Sequence, residues 1–388
     1  MPEAVIVAYG RSPIGRAFKG SLIELRPDDL ASRVVDHVLA TLPDELRKGA
    51  IDDLICGCGL PGGEQGFNLG RIVSILSRLD APGTTITRYC ASSLQATRMA
   101  FHAIAAGEGS CFVIAGVECV SRYGAGFTDP PEAQNPVLKP GNASGYPDIY
   151  IAMGNTAENV ARREKVSREE MDEYALRSQQ RTAKAIESGF YDGEIIPVSR
   201  PDGTEVTKDD GPRPTTTLEG LAALKPAFTE DGLVTAGNSC PLNDGAAALV
   251  VMSKERALEL GLTPLARIVA TGLSQLQPEF MGLGPVESSQ RALAGAKMSI
   301  ADIDLVEMNE AFAAQIIPST RALGIDPFDD NRFNVHGGAI ALGHPFGMTG
   351  ARLIGTLVRS LHERDKHLGL ATLCVGGGMG MAMVVERL

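Results

Sequence analysis

Thr84-Thr-Ile-Thr-Arg-Tyr-Cys-Ala-Ser-Ser93 is the stretch whose reading decides the fold. It opens with β-branched residues and reads as a strand. The chain turns at Cys90 and continues as a helix over about 91–106, with Gly107 as its stop. A buried strand follows over 111–115. Ahead of this stretch, residues 4–8 and 51–58 read as strands and 28–41 and 67–79 as helices, the first capped by Asp28 or Asp29. Strand and helix alternating at this spacing predict an α/β fold with a mostly parallel sheet.

Downstream the texture changes. Glycine, proline and asparagine crowd 124–147, which reads as loop. Two helices follow, the second opened by a Ser167/Glu170 capping box and running to Gly189. Residues 197–217 are again polar and proline-rich. The span 121–246 therefore reads as an excursion over the main body, suited to covering a ligand. The strand pattern resumes at 246–252. The last third alternates again, with a strand at Val306, a helix over 311–323, a turn over 336–350, a helix over 351–361, and strands over 370–375 and 381–386. Turn, long helix and buried strand succeed one another around Cys90 and again around His344, which predicts two similar halves.

The 388 residues, 44% of them apolar, suffice for more than one core. No run of 18 apolar residues is present, so a membrane span is not expected. A net charge of −11 without a basic stripe argues against nucleic acid as a partner. Arg162, Arg163 and Lys165, with Arg177, Arg181 and Lys184, are a candidate anion patch, although mixed charges fit a solvated helix face better. Seven cysteines without a Cys-x-x-Cys pair indicate neither a zinc ribbon nor a dithiol site, and no metal centre is expected. The start of the chain makes a poor signal peptide, and a reducing cytoplasm is the expected compartment.

Three positions carry chemistry. Cys90 precedes a helix, whose first amides and dipole favour a thiolate. A free thiol is only about 3% ionised at pH 7, and a depression of roughly two units would make thiolate the majority form. His344 lies in Gly337-Gly-Ala-Ile-Ala-Leu-Gly-His-Pro-Phe-Gly347, a rigid turn that leaves the imidazole free to act as a base. Cys374 precedes Gly376, Gly377 and Gly378, which let backbone N–H groups approach a ligand closely. Asn309, in Asn309-Glu-Ala-Phe312, could cap the following helix or hold a water beside the histidine. A nucleophile, a base and a backbone cradle are the parts needed for acyl transfer through a thioester.

Taken together these segments resemble the thiolase family over the whole length. The resemblance rests on the Asn309, Gly337–Gly347 and Cys374–Gly380 segments, on Cys90, on Thr235-Ala-Gly-Asn238, on Asn243-Asp-Gly245 and on Met153-Gly-Asn155. It implies a duplicated five-layer α-β-α-β-α core with an inserted loop domain. The halves would be 1–120 with 247–271, and 272–388; the loop domain would be 121–246. It also implies CoA-dependent thiolytic cleavage of 3-ketoacyl-CoA, and the reverse Claisen condensation, in a homodimer or homotetramer. Acyl-CoA and CoA would be substrates, and no other cofactor would be needed. Cys90 would carry the acyl group, His344 would activate it and Cys374 would move the α-proton. His344 and an Asn309-held water would form one oxyanion site, and the Cys90 and Gly376 amides the other. Met153, Arg213, Ser239, Cys240 and Phe312 would contact the CoA thioester.

Three departures from the family pattern stand out. His336 replaces an asparagine ahead of the Gly-Gly-Ala-Ile run, and its extra imidazole is expected to be inert. Cys240 replaces a serine that contacts the pantetheine arm. Ala152 replaces a histidine of the short-chain biosynthetic branch, which weighs against a dedicated acetoacetyl-CoA enzyme and leaves room for a bulkier acyl group.

Overall fold

The computed structural model describes residues 2–123, 131–139 and 145–388. In chain order the first part comprises β1 (Ala4–Arg11), β2 (Gly15–Arg16), α1 (Pro27–Ala40), β3 (Asp53–Cys58), α2 (Leu69–Leu76), β4 (Gly83–Ile86), α3 (Ser92–Ala106) and β5 (Cys111–Cys119). The excursion contains α4 (Met153–Glu164), α5 (Arg168–Glu187), β6 (Val198–Ser199), β7 (Glu205–Val206) and α6 (Leu218–Ala222). The remainder is β8 (Asn243–Ser253), α7 (Lys254–Glu259), β9 (Ala266–Gln275), α8 (Gly284–Ala296), β10 (Leu305–Met308), α9 (Ala313–Leu323), α10 (Ala339–Leu342), α11 (Phe346–Glu363), β11 (Leu368–Val375) and β12 (Met379–Arg387).

Most expected elements are present, with shifted ends. Asp28 and Asp29 do not cap α1. Arg26 is the cap residue, and Pro27 takes the first helical position because its missing N–H costs nothing there. The Ser167/Glu170 capping box opens α5. Of the loop expected over 124–147, residues 124–130 and 140–144 lie outside the described residues. Strand β9 and helices α7 and α8 had no counterpart in the sequence reading.

The large sheet runs β10-β11-β12-β9-β1-β8-β5-β3-β4, with β2 beside β8. It is mixed rather than mostly parallel. β3 is parallel to β5, β5 antiparallel to β8, and β8 antiparallel to β1. β10, β11, β12 and β9 repeat that order and those directions. The two runs meet at only two β1–β9 positions, Val5 opposite Arg267 and Ile6 opposite Ala266.

Three large apolar cores fill the spaces among the described residues. One joins α1 and α2 to the first run through Leu30, Val34, Leu54 and Val250. One lies between the runs, where α3 and α11 bury Leu94, Leu353 and Leu357 against Ile114 and Leu373. The third sets α8 and α9 on the second run, with Leu293, Ile316 and Val384. Helix, sheet, helix, sheet and helix thus make five layers. Each fully buried leucine contributes about 1.5–3 kcal/mol.

In the central layer α3 and α11 touch closely. A Cβ on Gly350 would sit 2.3 Å from the Leu94 backbone nitrogen, so only glycine permits this approach. Cys90 lies just before α3 and His344 just before α11, and the turn around Cys90 packs against both α11 and β11.

Candidate active site

Cys90 sits in a short 3-10 turn, Tyr89–Ala91, rather than in the first turn of α3. Tyr89 before it has φ +43°, a left-handed conformation that costs a residue with a Cβ about 1–3 kcal/mol. Ser92 holds this bend, because its Oγ accepts from the Arg88 N–H at 2.9 Å and donates to the Tyr89 carbonyl at 2.6 Å. The Gly376 backbone amide favours the Cys90 thiolate, which makes the first thiol and the glycine cradle neighbours. Burial holds the Cys90 thiol well above its ordinary range, and Cys374 and Cys240 push it further the same way. The expected depression by the helix dipole is outweighed. Resting Cys90 is a neutral thiol and needs a base.

His344 is buried and oriented from both sides. Its backbone N–H donates to Asn243 Oδ1 at 2.9 Å. Gly343 has φ +116°, and a Cβ there would overlap the Asn243 side chain at 2.6 Å. Behind the turn, the Gly347 N–H donates to Glu118 Oε2 at 2.9 Å, and the same carboxylate accepts from the Gly59 and Leu60 amides and from Gln65. On the ring, Nδ1 lies 2.6 Å from Thr349 Oγ1, whose hydroxyl donates to the Pro345 carbonyl. That hydroxyl is left to accept, so the proton belongs on Nδ1 and Nε2 is the basic nitrogen. Nε2 has no partner among the described residues. Burial, reinforced by Arg352, pushes the imidazole down to about 3, so it is neutral at ordinary pH.

Cys374 ends β11 in full burial, which pushes its thiol up to about 11. Gln315 Nε2, 2.9 Å from the sulfur, works against that rise. Asn309 adjoins the same strand, its N–H donating to the Thr372 carbonyl at 3.0 Å. It does not cap α9, whose cap residue is Phe312. Asn309 Oδ1 and Nδ2 are buried with no partner among the described residues, which fits a side chain kept for a ligand or a water. Glu310 faces the other way and accepts from Tyr174, Ser178, Asn334 and the Ile340 amide, tying α5 to the glycine-rich turn.

A cavity of about 760 Å³ opens beside this cluster, lined by Arg16, Arg213, Phe228, Ser239, Cys240 and Ile340 among others. Cys240 links cavity to cluster: burial raises its thiol, and a charge on Cys374 would raise it further. Ser239 Oγ donates to the Thr235 carbonyl, and Ser239 pairs with Phe312 as a β-bridge. Phe312 meets Phe228 edge-on at 6.0 Å behind the cavity wall. Met153, at the start of α4, reaches the cradle, with its Sδ 3.8 Å from where a Gly376 Cβ would lie.

His336 lies apart from this group. It stacks on Phe190 at 3.6 Å and contacts Ser360 and Glu363. Arg177 and Arg181 form neither an anion patch nor a solvated face. Both are buried and donate to the Phe333 carbonyl. The sequence reading missed Gln315, Thr349 and Glu118. Gln315 could have been found three residues beyond Phe312, on the first turn of α9.

Residues 4–255 match the family described as thiolase, N-terminal domain, and residues 262–387 match thiolase, C-terminal domain. The chain belongs to the thiolase family and is an acyltransferase. It is 42% identical to a 3-ketoacyl-CoA thiolase of Bacillus subtilis (strain 168) over 403 residues, covering all of both chains. It is 44% identical to a 3-oxoadipyl-CoA/3-oxo-5,6-dehydrosuberyl-CoA thiolase of Escherichia coli (strain K12), again over all of both chains. Among solved structures it resembles human mitochondrial 3-ketoacyl-CoA thiolase in complex with CoA. That likeness has a TM-score of 0.89 and 33% identity, and covers 100% of this chain and 98% of the other.

Proposed function

We propose that this chain cleaves 3-ketoacyl-CoA with coenzyme A, and runs the reverse Claisen condensation, through an acyl group on Cys90. His344 Nε2 takes the Cys90 proton, and the sulfur attacks the thioester or ketone carbonyl. In condensation CoA leaves as a thiol with the proton of Cys374, a second acyl-CoA enters, and the Cys374 thiolate removes its α-proton while His344 keeps the Cys90 proton to return when the acyl group leaves that sulfur. The resulting enolate attacks the acyl-cysteine. In cleavage Cys374 returns that proton. The Cys90 and Gly376 N–H groups stabilise one oxyanion; His344 with a water on Asn309 stabilises the other. Coenzyme A is a substrate, and the scheme calls for no other cofactor. Arg213, Ser239 and Cys240, which line the cavity, shape the path of the CoA thioester, with Phe312 beside Ser239 and Met153 beside Gly376.

The observation that carries this reading is that Cys374 and the Gly376 amide both act on Cys90, whose turn packs on α11, the helix that follows a neutral His344 with Nε2 unpartnered among the described residues. The excursion over 121–246 would cover the CoA site. Residues 1–120 with 247–271, and residues 272–388, would be the two halves, save that β9 goes with the second because it pairs with β12 over nine positions. A homodimer is supported by the outer edge of β4, which has no strand beyond it among the described residues, and by exposed Phe67, Ile75 and Leu76 nearby. All seven cysteines are free thiols, which fits a reducing cytoplasm. No helix among the described residues is long and apolar enough to cross a membrane.

The test is thiolysis of 3-ketoacyl-CoA esters of increasing length by the wild type and Cys90→Ala. Turnover that disappears in the variant is expected. Residual turnover above about a tenth would remove Cys90 as nucleophile, since loss of a nucleophile ordinarily costs far more.

A further inference from the structure

We infer that Gln315 is a positioning residue for the second thiol: its side-chain amide holds Cys374 Sγ toward the substrate α-carbon and favours the thiolate. The inference rests on the proposed role of Cys374 as the group that moves the α-proton. Gln315 lies in the first turn of α9, three residues beyond Phe312, and is 1% exposed. Its Nε2 donates to Cys374 Sγ at 2.9 Å across the joint between α9 and β11. Its Oε1 is buried and has no partner among the described residues. An amide present only to brace helix against strand would use both ends, because an orphaned buried carbonyl oxygen costs stability. This one is committed through its donor end to a single sulfur.

The chemistry explains why a donor belongs there. The sulfur must take a proton from carbon: the C–H bond breaks, its electron pair stays on carbon as the enolate, and an S–H bond forms. Only the thiolate can do this, and burial opposes the thiolate. A neutral N–H donor favours the charged sulfur without bringing a second charge into the pocket. A lysine there would also attract the thiolate, but as a buried cation it would add its own desolvation cost.

The experiment uses the full-length enzyme with Gln315→Met, which keeps length and shape, and Gln315→Leu as a second variant. Acylation of Cys90 is read by intact-mass spectrometry. Proton abstraction is read by exchange of the acetyl-CoA α-hydrogens into deuterium oxide between pH 6.5 and 9. Cys90 acylation should stay within about twofold of wild type, while exchange falls about 10- to 100-fold at neutral pH, the worth of a hydrogen bond to a charged group. The deficit should shrink as pH rises, because added hydroxide supplies the thiolate that the lost donor no longer favours.

Unchanged exchange overturns the inference. So does an equal, pH-independent loss of acylation and exchange, and so does failure of both variants to fold, each of which makes Gln315 a structural brace. Cys374→Ala separates this inference from the reading it rests on. If that variant still exchanges α-hydrogens, the role of Cys374 itself falls. If it does not exchange while Gln315→Met does so at the wild-type rate, only the inference about Gln315 falls.

Discussion

His344 enters the reaction with one ring nitrogen already committed. Thr349 Oγ1 gives its own hydrogen to the Pro345 carbonyl and so can only accept from Nδ1, which leaves the lone pair on Nε2. Replacing Thr349 with valine keeps the shape and removes this selection. About half of the imidazoles would then carry the proton on the wrong nitrogen, and ring orientation would loosen as well. A fall in kcat of about 10- to 100-fold is expected, with KM little changed and Thr349→Ser restoring most of the rate. Equal kcat for Thr349→Val and wild type would show that the hydroxyl does not select the tautomer. None of this is visible in sequence. The turn around His344 is legible because glycine and proline fix it locally, but Asn243 reaches the histidine, and Glu118 the Gly347 amide, only through the fold, from β8 and β5, and Thr349, five residues on, meets the ring only once α11 has formed.

At the scale of elements, the site is built on the crossing of α3 and α11. Gly350 faces Leu94 there, and a methyl group would meet backbone rather than a yielding side chain. Gly350→Ala should therefore destabilise the protein by about 1–3 kcal/mol, the usual cost of overpacking, and lower activity because Cys90 and His344 ride on the two helices. A denaturant midpoint equal to the wild type would contradict the close approach. The sequence marks α3 and α11 through their apolar spacing, and Gly107 ends α3 as expected with φ +78°. β9 went unrecognised although its burial alternates along the strand. Its half-buried residues, among them Val269, Thr271 and Leu273, are apolar or β-branched and blur the period-two pattern. The mixed sheet was hidden for another reason. β8 returns antiparallel between β5 and β1 only after the long excursion of 121–246, and pairing across such a distance leaves no local trace.

For the whole molecule, buried titrating groups set the pH dependence of stability. Burial pushes His344 and His336 down from 6.5 to about 3. Both must stay neutral in the fold, so their stability is present above pH 6.5 and lost as pH falls toward 3. Burial pushes Glu307, 3.7 Å from Arg352, the other way, from 4.5 to about 8. Its contribution is present below pH 4.5 and lost as pH rises through about 8. Burial raises Glu118 and Asp244 in the same direction, so between about pH 4.5 and 6.5 these carboxyls oppose the two histidines, and above pH 6.5 thermal stability should fall as Glu307 is forced to ionise. Glu307→Gln should flatten the alkaline decline. A melting temperature that rises steadily from pH 6.5 to 8.5 in the wild type would contradict this. The same burial shapes the chemistry: resting Cys90 and Cys374 are both thiols, and each must be deprotonated in its turn. The division of labour between them is tested most directly by intact-mass spectrometry of Cys374→Ala after mixing with an acyl-CoA. A stoichiometric acyl adduct on Cys90 with no condensation product is expected. Absence of the adduct, or normal condensation without the second sulfur, would contradict it.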